Sequence, residues 1–119
     1  MEDCIFCKII AGQIPCHKVY EDKDFLAFLD INPRSPGHAL VIPKRHYRWV
    51  WDVPNAGEYF EVAKKIALAQ KKAFGAEKIV SKIVGEDVPH AHIWVYPDEK
   101  TLGDAKDLAG NTKKIRLNL

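Results

Sequence analysis

His90-Ala91-His92-Ile93-Trp94-Val95-Tyr96 is the stretch on which the reading of this 119-residue chain turns. On a strand, residues i and i+2 share a face and lie roughly 6.5 Å apart. His90, His92 and Trp94 then face one way and Ala91, Ile93 and Val95 the other, a sorting that a helix would scramble. The small and apolar face suits a core beneath a helix. The opposite face holds two imidazoles at a sheet surface, where imidazole can act near neutral pH as nucleophile, base or metal ligand. Two half-exposed histidines on an edge strand would give the same short pattern, so the stretch by itself leaves both readings open.

Working outward, residues 78–84 read as a strand and Gly85-Glu86-Asp87 as the turn between it and the histidine strand. Upstream, Asn55 is placed to cap a helix. Tyr59, Val62, Ala63, Ile66, Ala69 and Ala73 recur at helical spacing, with Lys64, Lys65, Gln70, Lys71 and Lys72 mostly on the other face, and Gly75 ends the run. Residues 46–53 alternate Tyr47, Trp49 and Trp51 and are ambiguous between strand and partly buried loop. Residues 38–42 are a strand closed by Pro43. The loop 32–37, with two prolines and a glycine, blocks helix and ladder alike. Residues 19–21 and 25–30 are strands around Asp22-Lys23-Asp24, and residues 4–11 form a short helix ending at Gly12. Residues 98–119 are polar and weakly patterned and read as a tail or partner-binding arm. The order predicts an α+β fold with a mainly antiparallel sheet in a single domain, 1–119, its core about 4–97.

Composition narrows the function. A chain of this length buries a core without staples, and 47% hydrophobic with 29% charged residues is ordinary for a globular protein. A net charge of +2 is too small to argue for nucleic acid and is compatible with a small anionic ligand. No signal-peptide pattern stands at residues 1–3 and no apolar run nears membrane-spanning length, which makes the cytoplasm the expected address. Of three cysteines, Cys4 and Cys7 form C-x-x-C, better suited to metal or redox use than to a disulfide framework. Cys16 has no evident partner.

Four segments, in order, carry a resemblance. Cys4-Ile5-Phe6-Cys7-Lys8-Ile9-Ile10 followed by Ile14-Pro15 is the first. Phe28-Leu29-Asp30-Ile31-Asn32-Pro33 is the second. Gly37-His38-Ala39-Leu40-Val41-Ile42-Pro43-Lys44-Arg45-His46 is the third, and Val88-Pro89-His90-Ala91-His92-Ile93 the fourth. Together they resemble the Hint branch of the histidine-triad (HIT) proteins. The resemblance implies a five-stranded antiparallel sheet with one long helix and a short N-terminal helix, and a homodimer joined into a ten-stranded sheet. It implies a nucleotidyl hydrolase or transferase acting on nucleoside phosphoramidates, acyl-adenylates or dinucleotides, with a purine nucleotide or nucleotide conjugate as the bound partner. His92 takes the place of the family nucleophile, which forms a nucleotidyl-histidine that water resolves, and His38 that of a supporting histidine. Asp30 matches the acid that accepts the ribose hydroxyls, although an Asp before a proline loop also caps turns. Phe6, Ile9, Phe28, Leu29 and Ile31 match the base pocket, although plain core is the commoner fate of such residues. Gly85 and Val88 flank the backbone expected near phosphate. Cys4, Cys7, His46 and His90 match a closed S2N2 structural zinc set, the alternatives being buried free thiols or a redox pair.

The chain departs from the family twice. The triad usually reads H-x-H-x-H, and the third member here is Trp94, whose indole has one N–H and no titratable nitrogen. The approach to the triad, 81–88, is shorter than usual, and Glu86 and Asp87 stand where the family has Gln and Ser. Carboxylates facing an anion weaken its binding; facing solvent, they leave the turn's backbone N–H groups free to serve. A nucleotide-binding or scaffold protein with little or no turnover is therefore the alternative to an enzyme. A zinc hydrolase fits less well, because a closed site leaves no position for water.

Overall fold

The structure, a computed structural model, describes residues 3–119; the sequence reading at Met1 and Glu2 lies outside the described residues. Its elements are α1 (Ile5–Ile10), β1 (Lys18–Glu21), β2 (Phe25–Leu29), β3 (Ala39–Pro43), α2 (Ala56–Phe74), β4 (Ile79–Lys82), β5 (Ile93–Pro97) and α3 (Leu108–Leu117). The strands form one five-stranded sheet in the order β1-β2-β3-β5-β4, every neighbouring pair antiparallel. The expected α+β architecture is what the chain adopts.

Strict alternation gives the sheet two different faces. On one, Ala27, Leu29, Val41, Ile93 and Val95 pack against Tyr59, Val62 and Ile66 of α2. On the other, Leu26, Phe28, Leu40 and Ile42 pack against Phe6 and Ile9 of α1. Helix α2 is also fastened by polar groups. The Tyr59 hydroxyl donates to Val41 O at 2.7 Å, and Gln70 Nε2 donates to Gly37 O at 2.9 Å and Val95 O at 2.8 Å. It stops at Gly75, which takes the left-handed conformation common after a helix. Gly37 also has positive φ, 78°, and a Cβ there would run into the Phe74 ring. Backbone conformation and close helix packing both require glycine at that turn.

Several boundaries differ from the sequence reading. β5 begins at Ile93, so His90 and His92 lie in the extended approach to it. The cause is a local partner: Ala91 N donates to Tyr47 O at 2.7 Å, taking this residue out of the sheet ladder. The two-face sorting survives, because Ala91 still joins the α2-side core. β5 lies between β3 and β4 and is not an edge. Residues 46–53 are no strand; they include a 3-10 turn, Val50–Asp52. The reading of 98–119 as a tail is corrected as well. Asp107 caps α3 through Gly110 N, and Ile115 is fully buried where α3 packs on α2 and β1. Among the described residues no helix is long and apolar enough to cross a membrane.

Candidate nucleotide site and metal centre

Between α1 and the sheet face it covers lies a cleft of about 490 Å³. Phe6, Ile9, Phe28, Leu29, Asp30, Ile31 and Val88 all line it, which gathers seven of the eight residues matched to nucleotide binding. Gly85 does not line it. Its carbonyl instead accepts from Arg48 Nη1 at 2.6 Å. The lining is mostly apolar with one carboxylate pair, Asp30 and Asp87, a composition suited to a base and a sugar. The Phe6 ring stands edge-on to Phe28, His90 and His92, with centroids 5.6, 5.8 and 5.3 Å away. One residue of α1 thus walls the cleft and braces both histidines.

His92 is buried, and each ring nitrogen has a partner. Nδ1 donates to His90 O at 2.7 Å. A carbonyl only accepts, so this bond places a hydrogen on Nδ1 and directs Nε2 away from the backbone. Nε2 meets Asp87 Oδ1 at 2.9 Å. Of the two acids in the unusual turn, Asp87 faces the site and Glu86 is exposed. The Asp87 side chain remains 54% exposed, against 0% for the His92 ring it touches.

Asp30 closes its turn and also reaches the cleft. Oδ1 accepts from Asn32 N at 2.9 Å and closes the turn, while Oδ2 lies 3.7 Å from His38 Nε2 in the cleft wall. His38 is 1% exposed, and Nδ1 accepts from Arg34 N at 3.1 Å. Burial pushes its pKa down from 6.5 to about 4, with Arg34 in the same direction and Asp30 opposing. His38 is therefore neutral at pH 7, with its hydrogen on Nε2 facing Asp30. Its ring lies on Tyr96 and Trp94, centroids 4.8 and 5.5 Å away. Trp94 Nε1 is buried with no hydrogen-bond partner among the described residues, and the Arg34 guanidinium sits 4.9 Å above the indole.

Cys4, Cys7, His46 and His90 converge, their ligand atoms all within 4.8 Å of one another. Cys4 caps α1, its Sγ accepting from Cys7 N at 3.3 Å, so one helical turn brings both thiols to the same point. Cys4 Sγ lies 3.3 Å and Cys7 Sγ 3.5 Å from His90 Nδ1, and Cys7 Sγ lies 3.3 Å from His46 Nδ1. A tetrahedron with zinc bonds of about 2.0–2.3 Å has edges of about 3.3–3.8 Å, and the three sulfur–nitrogen distances fall in that range. His90 Nε2 donates to Pro43 O at 2.8 Å, which turns Nδ1 toward the thiols, the orienting arrangement zinc-ligating histidines use.

Sequence reasoning missed the brace around the turn before the histidines. Arg48 stacks its guanidinium 3.7 Å over Trp49 while bonding Gly85 O. A Cβ on Gly85 would approach Trp49 to 3.0 Å, and φ is +83°, so the turn needs glycine. The signal lay in the ambiguous 46–53 stretch, whose aromatic and basic residues follow His46 directly.

Comparison with known proteins agrees with this geometry. The model of the HIT domain matches residues 11–101. An adenosine 5'-monophosphoramidase of Saccharomyces cerevisiae is 41% identical over 82% of this chain and 65% of that protein. The crystal structure of a Hit-like protein involved in cell-cycle regulation from Bartonella henselae superposes with a TM-score of 0.89 at 38% identity, covering 100% of this chain and 98% of that one. A Zn-bound histidine triad family protein from Mycobacterium smegmatis superposes with a TM-score of 0.86 at 30% identity, over 98% and 93%.

Proposed function

The chain belongs to the HIT domain family, and from that premise we propose that it is a nucleotide-binding hydrolase whose His92 accepts the nucleotidyl group before water releases it. One observation carries the reading. The bond from His92 Nδ1 to His90 O, 2.7 Å, fixes the tautomer and aims Nε2 toward Asp87, a residue of the cleft lining. The neutral imidazole is the attacking form, so the protein must orient the ring and leave the Nε2 lone pair free when phosphorus arrives. The apolar wall of Phe6, Ile9 and Phe28 receives the base, and Asp30 accepts from the ribose. The substrate is a phosphoramidate, acyl-adenylate or dinucleotide, in keeping with the similar yeast monophosphoramidase.

We place zinc at Cys4, Cys7, His46 and His90. Four protein ligands would close a tetrahedral ion, so its contribution would be structural, tying α1 to the histidine segment with no position left for water.

A second reading, a nucleotide-binding protein without turnover, draws on Trp94, which offers no titratable nitrogen at the third triad position. Incubation with adenosine phosphoramidate separates the two. We expect ammonia release and a nucleotidyl adduct on His92 by mass spectrometry, both lost in His92→Ala. Retained adenosine monophosphate binding with neither adduct nor turnover would establish the second reading.

A further inference from the structure

We infer that Asp87 is the acid–base residue of this site, holding beside His92 the proton that the leaving group needs. The inference deepens the proposed function and rests on His92 as nucleophile. It starts from where hydrogens must be. His92 Nδ1 spends its hydrogen on His90 O at 2.7 Å. Nε2 of a neutral ring and a carboxylate oxygen are both acceptors and do not approach to 2.9 Å as partners. The 2.9 Å contact between Nε2 and Asp87 Oδ1 is a hydrogen bond when one hydrogen lies between them, which puts Asp87 where it can take a proton from the attacking atom or return one.

The other polar groups nearby are spoken for or unsuited. Trp94 Nε1 has a hydrogen it does not release. His38 accepts from Arg34 N through Nδ1 and turns Nε2 to Asp30, 3.7 Å away. Asp30 closes its own turn. Asp87 combines a half-exposed carboxyl, a place in the cleft lining and contact with the attacking atom itself. It is also carried on a turn whose Gly85 is clamped by Arg48, so the carboxyl can rotate while its backbone stays in register.

The steps balance. As phosphorus approaches, the Asp87 carboxyl swings off Nε2 and takes the shared proton with it. The Nε2–P bond forms and the bond from phosphorus to the leaving nitrogen or oxygen breaks, its electron pair staying on the leaving atom. Protonated Asp87 gives its hydrogen to that atom and becomes a carboxylate. In the second half, water forms a bond to phosphorus and loses a proton to Asp87, the Nε2–P bond breaks, and the shared hydrogen is restored. No metal or oxidant enters.

Two adenosine 5'-phosphate derivatives test this, an alkylamine phosphoramidate and a p-nitrophenyl ester, since the amine must be protonated to leave and p-nitrophenolate need not be. For Asp87→Asn we expect cleavage of the phosphoramidate to fall by about a hundredfold or more, the usual worth of an acid–base group. The initial burst of p-nitrophenolate should slow roughly tenfold less. The nucleotidyl adduct on His92 should accumulate, because the second half lacks its base. A thermal melt matching the parent's, measured alongside, reports that the variant is folded. An equal loss on both derivatives, or a faster Asp87→Asn enzyme, would overturn the inference and leave Asp87 a positioning or blocking group. A parent protein with no burst and no adduct would overturn the nucleophile reading and this inference with it.

Discussion

His38 shows most directly how a single side chain answers to its surroundings. The buried neutral ring takes up a proton only near pH 4, whereas in the unfolded chain it does so near 6.5. Between those values the unfolded state binds more protons, so stability contributed by neutral His38 is present above pH 6.5 and is lost as pH falls toward 4. The loss should reach about 2–3 kcal/mol at pH 4. Denaturant melts of the parent and His38→Asn, which keeps an acceptor near the Nδ1 position, should show a flatter decline between pH 6.5 and 4 in the variant; parallel curves would mean His38 does not titrate this way. At Asp30 the prediction concerns binding. Asp30→Ala should weaken adenosine monophosphate binding by roughly 1.5–3 kcal/mol, for two lost hydrogen bonds to an ionised acceptor, while barely altering binding of inorganic phosphate. Calorimetry on both proteins decides it, and an equal loss for the two ligands would take Asp30 out of the ribose subsite. The family motif pointed to Asp30, His38 and His92, and the structure brings them to one place: Asp30 lines the cleft, His38 faces it and His92 meets the cleft residue Asp87. The contact of Asp87 with His92 was not legible, because which way a turn side chain points depends on the Arg48 and Trp49 brace across the chain, which no local periodicity encodes.

Elements were legible in proportion to their periodicity. β2 and β3 read as strands because apolar side chains run unbroken between turn residues, and α2 because its apolar spacing persists from Tyr59 to Ala73. α3 was missed for the converse reason: its polar sequence buries Asn111, Thr112 and Ile115, and only Ile115 is apolar enough to announce a core contact. Ile115→Ala should therefore destabilise the fold by about 2–5 kcal/mol, the cost of an emptied aliphatic site, and a change near zero by denaturant melting would restore the reading as a loose arm. α1 poses a different question, since six residues cannot hold a helix in water unaided. Its anchors are the Phe6 and Ile9 contacts and the Cys4, Cys7, His46, His90 cluster. We expect about one zinc per chain, as a single four-ligand site holds. Cys7→Ser should lower zinc content and melting temperature together. Because α1 carries Phe6 and Ile9 into the cleft, the same variant should also bind adenosine monophosphate more weakly. Unchanged zinc content and melting temperature would refute the metal assignment.

At the scale of the whole molecule the sheet has two edges, and they are not alike. β1 is covered on its flank by α3, whereas β4 ends the sheet beyond β5 with four residues, Ile79–Lys82, the last two of them exposed. An uncovered edge exposes a row of backbone donors and acceptors that readily pair with another chain. A second copy related by a two-fold axis can place its own β4 antiparallel to this one, since an isologous contact brings identical strands together in opposite directions. Five strands on each side then make one ten-stranded sheet. We propose that the protein is a homodimer of this kind. Sedimentation equilibrium at micromolar concentration should return twice the 13.5 kDa chain mass. Hydrogen exchange then locates the contact. In a lone chain half of the β4 amides face solvent and exchange quickly, whereas in a continuous sheet all four are protected as in an interior strand. Dilution into the monomer range should release the outward-facing ones while leaving those paired with β5 slow. A mass of 13.5 kDa at micromolar concentration would exclude the dimer. A dimer whose β4 amides exchange identically at high and low concentration would keep the oligomer and move the interface off the sheet edge.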